Sequence, residues 1–181
     1  MGKHWAVSIL LATSIALNSS ASDGSEDSSI LDVTQFVVNG IWSADENDGV
    51  DLDVPRLLTR PAGIDKWTED KRRKCLGDNS YDLSVDINNG GVWLHAVETN
   101  LTVVPNGRWQ EPDLSWVRIT LQSGKESNPL VFWELPRNTF PITFAFRTGS
   151  GRPGLLRVMS ASQEERTALL AVRLMPGRFE K

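Results

Sequence analysis

Between Phe36 and Leu174 the apolar residues recur mostly at every second position, and this period limits what the chain can fold into. Tyr81, Leu83, Val85 and Ile87 alternate with Asp82, Ser84 and Asp86, and Ile142, Phe144 and Phe146 alternate with Thr143, Ala145 and Arg147. Side chains alternate across a strand, so each run has one oily side that must meet another oily side. The chain is therefore expected to be mainly β, as an antiparallel sandwich or a strongly bent sheet.

Turn residues separate the runs. Asn88-Asn89-Gly90-Gly91 divides Tyr81–Ile87 from Val92–Val97. Asp45-Glu46-Asn47-Asp48-Gly49 lies between Phe36–Trp42 and Val50–Val54, which predicts a hairpin there. Pro105 ends a short run, Leu101 to Val104, and further strands are expected at Val117–Leu121 and Leu130–Leu135. Ile142–Phe146, Leu155–Met159 and Leu170–Leu174 predict a three-stranded meander. One segment breaks the period: Ile64, Trp67, Cys75 and Leu76 share one side, which predicts one α-helix at about 63–76. Gly77 is expected to stop it, with Lys71 to Lys74 in its last turn.

The N-terminus carries an address. Met1 to Trp5 is a short basic start, Ala6 to Leu17 is apolar, and Asn18-Ser19-Ser20-Ala21 turns small and polar. That pattern predicts a signal peptide over 1–21, hence a secreted or periplasmic chain. The apolar run is shorter than the roughly 20 residues a bilayer requires, so no transmembrane span is expected after its removal. Ser22 to Ser29 has no apolar residue and reads as a flexible leader, 22–29, ahead of a single β-rich domain over 30–181.

Charge and cysteine content exclude several classes. The net charge of −4 becomes −5 when Lys3 leaves with the signal, which gives nucleic acid no basic footprint. Cys75 is the single cysteine, so no intramolecular disulfide forms and packing must supply the stability. No cofactor motif is present, and none is expected.

Candidate chemistry is sparse. His95 is the one histidine beyond the signal, and no G-x-S-x-G elbow accompanies it. One histidine and one cysteine fall short of a structural zinc set. Asp45 to Gly49 with Asp51 and Asp53 is rich in oxygen ligands, but Gly49 breaks the calcium-loop register and a turn explains the segment. Neither catalytic nor metal-ligating residues are assigned. Trp93, Trp109, Trp116 and Trp133 crowd the β-rich middle. Trp93 and His95 fall on one side of a strand, and Trp116 is out of phase with Val117, Ile119 and Leu121, which makes its ring the best candidate for exposure. Trp93, His95 and Trp116 are thus the expected ligand-binding residues.

Phe144-Ala145-Phe146-Arg147-Thr148, the glycine-rich turn, Gly154-Leu155-Leu156-Arg157-Val158 and a basic strand ending near Leu174 make one recognisable block. It resembles the closing segment of an uncharacterised secreted module of environmental bacteria, whose pattern reads F-x-T-R-x-G-G-x-G-x-L-Q-I-x-G-F, a spacer, then V-K-I-R-Y-K. Asp51-Leu52-Asp53 followed by Trp67 is similar to the part before it. The likeness is concentrated in about residues 140–175. Gly149 stands where that pattern has Arg, and Ser160-Ala161 where it has Gly-Phe. The resemblance implies an exported β-rich accessory domain and carries no catalytic residues. The expected function is a non-enzymatic exported module binding a protein or polysaccharide partner in the cell envelope. The alternative is a small hydrolase of glycans or peptides using paired carboxylates such as Glu98 and Glu134.

Overall fold

Among the described residues the alternation resolves into ten strands in two antiparallel sheets. The computed structural model describes residues 32–40, 47–59, 61, 66–88, 91–123, 130–135 and 139–179. The predicted signal and leader lie outside these residues. The first sheet holds β1 (Val33–Asn39), β10 (Thr167–Leu174), β9 (Pro153–Ser162), β8 (Ile142–Arg147) and β6 (Asn100–Val104), in that order. The second holds β3 (Arg56–Thr59), β2 (Asn47–Asp51), β4 (Leu83–Asn88), β5 (Gly91–Val97) and β7 (Leu130–Leu135). Every strand pairing is antiparallel.

The two inner sides close on each other as a sandwich. Val38, Phe144, Phe146, Leu156, Val158 and Leu170 of the first sheet share one core with Val50, Leu83, Val85, Ile87 and Leu94 of the second. Burying each such side chain contributes about 1.5–3 kcal/mol, which stands in for the missing disulfide. Among the described residues, no helix is long and apolar enough to cross a membrane.

The meander β8–β9–β10, the β4–β5 hairpin, β6 and β7 fall where the alternation put them. Two expected features differ. The strand expected over Val117–Leu121 is instead a second helix, α2 (Leu114–Ser123). Val117 and Leu121 are four apart and both buried, whereas Ile119 between them is 65% exposed, as a helix requires. Asp113 starts it: its Oδ1 accepts hydrogen bonds from the Ser115 and Trp116 amides at 2.8 and 3.3 Å. Period two and period four coincide at Val117 and Leu121, so the alternation was ambiguous there.

The expected β1–β2 hairpin is also absent, because β1 pairs with β10 and β2 belongs to the other sheet. Asp48-Gly49 lies inside β2, and Gly49 is needed there for space, since a Cβ would overlap the Tyr81 ring. The turn falls later, at 52–55, between β2 and β3.

The first helix, α1 (Glu69–Asp78), starts later than expected, at the Thr68 cap, whose side chain accepts from the Lys71 amide. It runs through Gly77 and ends at Asn79, so its last turn holds no basic residue. Residues 62–65 lie outside the described set.

The second helix gives the first sheet a second buried side. Val117 and Leu121 pack with Trp109, Val104, Ala145, Leu155, Ala171 and Met175 on the outer side of that sheet. A 3-10 turn, Asn106–Trp109, carries the tryptophan. Glycine substitutions should report the packing of the sandwich core. A Cβ on Gly154 would sit 2.3 Å from Phe146 Cζ and 2.8 Å from the Arg173 carbonyl, whereas one on Gly107 meets nothing within 4 Å. Gly154→Ala is therefore expected to lose about 1–3 kcal/mol in urea unfolding, and Gly107→Ala less than about 0.5. Equal effects would contradict the packing described.

Candidate functional site

Register decides which polar and aromatic side chains share the outer side of the second sheet. Across β4, β5 and β7, Asp86 stands opposite Trp93 and Trp93 opposite Glu134. Val92 and Leu94, the neighbours of Trp93, point into the core, so all three members of this row point outward. Trp93 and Asp86 are half-buried and Glu134 is exposed, so the row is reachable from solvent. Asp86 accepts a hydrogen bond from Asn88 Nδ2 at 3.3 Å.

Gly91 lies beside the ring and is itself buried. The point where its Cβ would stand is 3.6 Å from Trp93 Nε1 and 3.6 Å from Glu134 Oε1. An indole N–H donor and a carboxylate acceptor thus flank a space without a side chain. The sequence treats Gly91 as a turn residue only. Its place beside Trp93 depends on strand pairing.

His95 shares this outer side, two residues along β5, as the alternation implies, but it is 7% exposed and so less open than a half-exposed strand position. Trp116 is not in the same place. It sits on α2 over the opposite sheet, half-buried against the Trp109 cluster, with the Arg108 guanidinium 4.5 Å from its ring centre. The three expected binding residues therefore separate into one pair and one outlier. The ring expected to be free is instead covered by a cation.

The expected carboxylate pair is spread along β5. Glu134 is opposite Trp93, while Glu98 follows Val97 at the strand end, five positions on, or about 16 Å at strand rise. Glu98 lines a surface hollow with Asp70, Lys74, Gly77 and Asp78. Cys75 is half-buried on α1, and its sulfur accepts a hydrogen bond from Asn79 Nδ2 at 3.4 Å.

Three carboxylates do converge elsewhere. Asp51, Asp53 and Asp82 each bring an oxygen within 4.8 Å of the others. Asp51 and Asp53 are members of the oxygen-rich segment noted in the sequence, whereas Asp82 is about 30 residues away and unmarked by any motif. Their oxygens are turned onto protein donors. Asp51 Oδ1 accepts from the Asp53 and Val54 amides, and its Oδ2 takes the Arg56 Nε–H at 3.1 Å. Asp82 Oδ2 accepts from the Leu52 and Asp53 amides at 2.7 and 3.3 Å, and Thr99 donates to its other oxygen. Asp53 Oδ1 receives the Thr148 and Ser150 hydroxyls, each at 2.7 Å. The knot ties the β2–β3 turn of one sheet to the β8–β9 turn of the other. N–H and O–H groups already direct their positive ends at these oxygens, which fits a structural latch better than the six to eight oxygen ligands calcium takes.

No protein-family model, curated protein or solved structure matches the chain.

The latch has a pH signature. Burial, countered by the Leu52 amide and reinforced by Asp53 and Asp51, pushes the Asp82 carboxyl from 3.8 up to about 7. The folded state then holds this proton more tightly than the unfolded chain. Its contribution to stability is full below pH 4, falls as pH rises from about 4 to about 7, and amounts to at most about 4 kcal/mol. Asp82→Asn should remove that decline, raising stability relative to the parent most at pH 8 and least at pH 4.5. Thermal melts across the range check it, and a parent-to-variant difference that is constant with pH would refute it.

Proposed function

We propose that this chain is an exported, non-enzymatic accessory module that holds a neutral polysaccharide of the cell envelope against the outer side of its second sheet. The observation that carries this reading is the row Asp86–Trp93–Glu134, which is reachable from solvent, with Gly91 beside it. An indole on a sheet offers a flat apolar platform to the C–H side of a sugar ring, and flanking acids accept hydrogen bonds from its hydroxyls. The same acids disfavour a polymer carrying negative charge. The site lies on the paired strands β4, β5 and β7 of one sheet, so little ordering entropy is lost on binding.

Export rests on the basic, apolar and small-residue order of residues 1–21. Mass spectrometry of the protein recovered from the host is expected to find an N-terminus near Ser22. Recovery of the intact chain from the cytosol would overturn this part of the reading.

Binding is tested by pull-down of the purified chain on insoluble neutral glycans, followed by titration with the best soluble oligosaccharide. Trp93→Ala should weaken binding about tenfold, which corresponds to about 1.4 kcal/mol. Gly91→Val, which crowds the indole N–H and the Glu134 carboxylate and leaves the ring, should weaken it comparably. Unchanged affinity in both variants, with the fold intact by circular dichroism, would exclude this surface.

A further inference from the structure

The outer side of the first sheet carries the opposite charge. Arg157 on β9 and Arg173 on β10 place their guanidinium carbons 5.7 and 5.0 Å from the Trp109 ring centre. Arg108 lies over Trp116, and Arg118 and Arg147 stand 5.4 and 5.7 Å from the Phe179 ring. All three rings belong to the cluster under α2. The result is a belt in which cations and rings alternate, from the Trp109 pair through Trp116 on α2 to the Phe179 pair.

These arginines lack the partners that surface arginines normally find. Among the described residues none of the five forms an ion pair, and the side chains of Arg108, Arg118, Arg147 and Arg157 make no hydrogen bond. Arg173 donates one, to the Trp109 carbonyl at 2.7 Å, while the Nε of both Arg157 and Arg173 is buried with no acceptor. The acids nearest Arg108 and Arg118 in sequence are Glu111 and Asp113, and Asp113 is turned to the α2 amides. Stacking on rings holds the guanidinium planes in place and leaves their N–H edges for an external anion.

We propose that this arginine–aromatic belt is a second binding surface, distinct from the Trp93 row, whose ligand is an anionic polysaccharide. The spacing suits a polymer with repeated charges. Arg147 pairs with Pro153, and Arg157 follows four residues along β9, so the backbone positions of these two arginines stand about 13 Å apart along the strand. One small anion cannot bridge that distance, but a chain bearing a carboxylate or sulfate on successive sugars can, each group taken by a guanidinium fork. The chain's net charge of −4 opposes any polyanion and opposes the densest ones most.

The test uses the full mature chain with a sulfated glycan (heparin), a carboxylated one (polygalacturonate), neutral dextran, duplex DNA and anionic phospholipid vesicles. Binding to one or both acidic glycans is expected, with dextran, DNA and vesicles at least tenfold weaker. Arg108→Gln/Arg118→Gln/Arg147→Gln, which spares the two arginines against Trp109, should lose at least tenfold. Its dependence of log Kd on log salt should flatten by up to about one per cation removed. The corresponding triple Lys variant should keep the salt dependence and recover part of the affinity. Trp93→Ala should leave acidic-glycan binding unchanged, so failure of one surface is distinguishable from failure of the other. Equal affinity of the parent and the Gln variant would overturn the proposal, as would stronger binding to DNA or vesicles.

Discussion

The first sheet is buried on both sides, and the rest of the molecule depends on that. Phe144, Phe146, Leu156 and Leu170 turn inward to the second sheet, while Ala145, Leu155 and Ala171, their neighbours in sequence, turn outward to α2 and Trp109. A chain without a disulfide obtains its stability from this double burial. The cover of helix and 3-10 turn also brings arginines and rings into register on an outer surface that strands alone would leave bare. The second sheet is less fully covered, and its polar row around Trp93 stays open.

Charge is divided between the two sides. Acids flank the tryptophan of the second sheet, and guanidinium groups cover the tryptophans over the first. The net charge of −4 conceals this division, because composition sums over the whole surface. The aspartate latch belongs to neither side. It joins a turn of each sheet at one end of the sandwich, and its buried carboxyl holds a proton well above the ordinary carboxylate range.

Much of the fold was legible from the alternation. The meander β8–β9–β10 and the β4–β5 hairpin follow from period two and from turns that connect neighbours. The α2 helix was not, because Val117 and Leu121 satisfy either period, and only Ile119 on the solvent side distinguishes them. The β1–β2 hairpin was misread because Asp48-Gly49 looks like a turn, although Gly49 is there to make room for Tyr81. At the candidate site, Trp93 and its shared side with His95 were readable. Asp86, Glu134 and Gly91 were not, since they reach Trp93 through hydrogen-bonded pairing of separate strands.

The order of residues by itself determined which side chains face inward, because the pleat alternates and the apolar positions follow it. It equally set the β class and the single cysteine. The choice of partner strand, the sheet each strand joins and what covers its far side were decided only in the tertiary structure. Backbone hydrogen bonds pair any strand with any other. Alternation therefore encodes a side without naming the neighbour, and Asp82, Gly91 and the five arginines take their places from that neighbour.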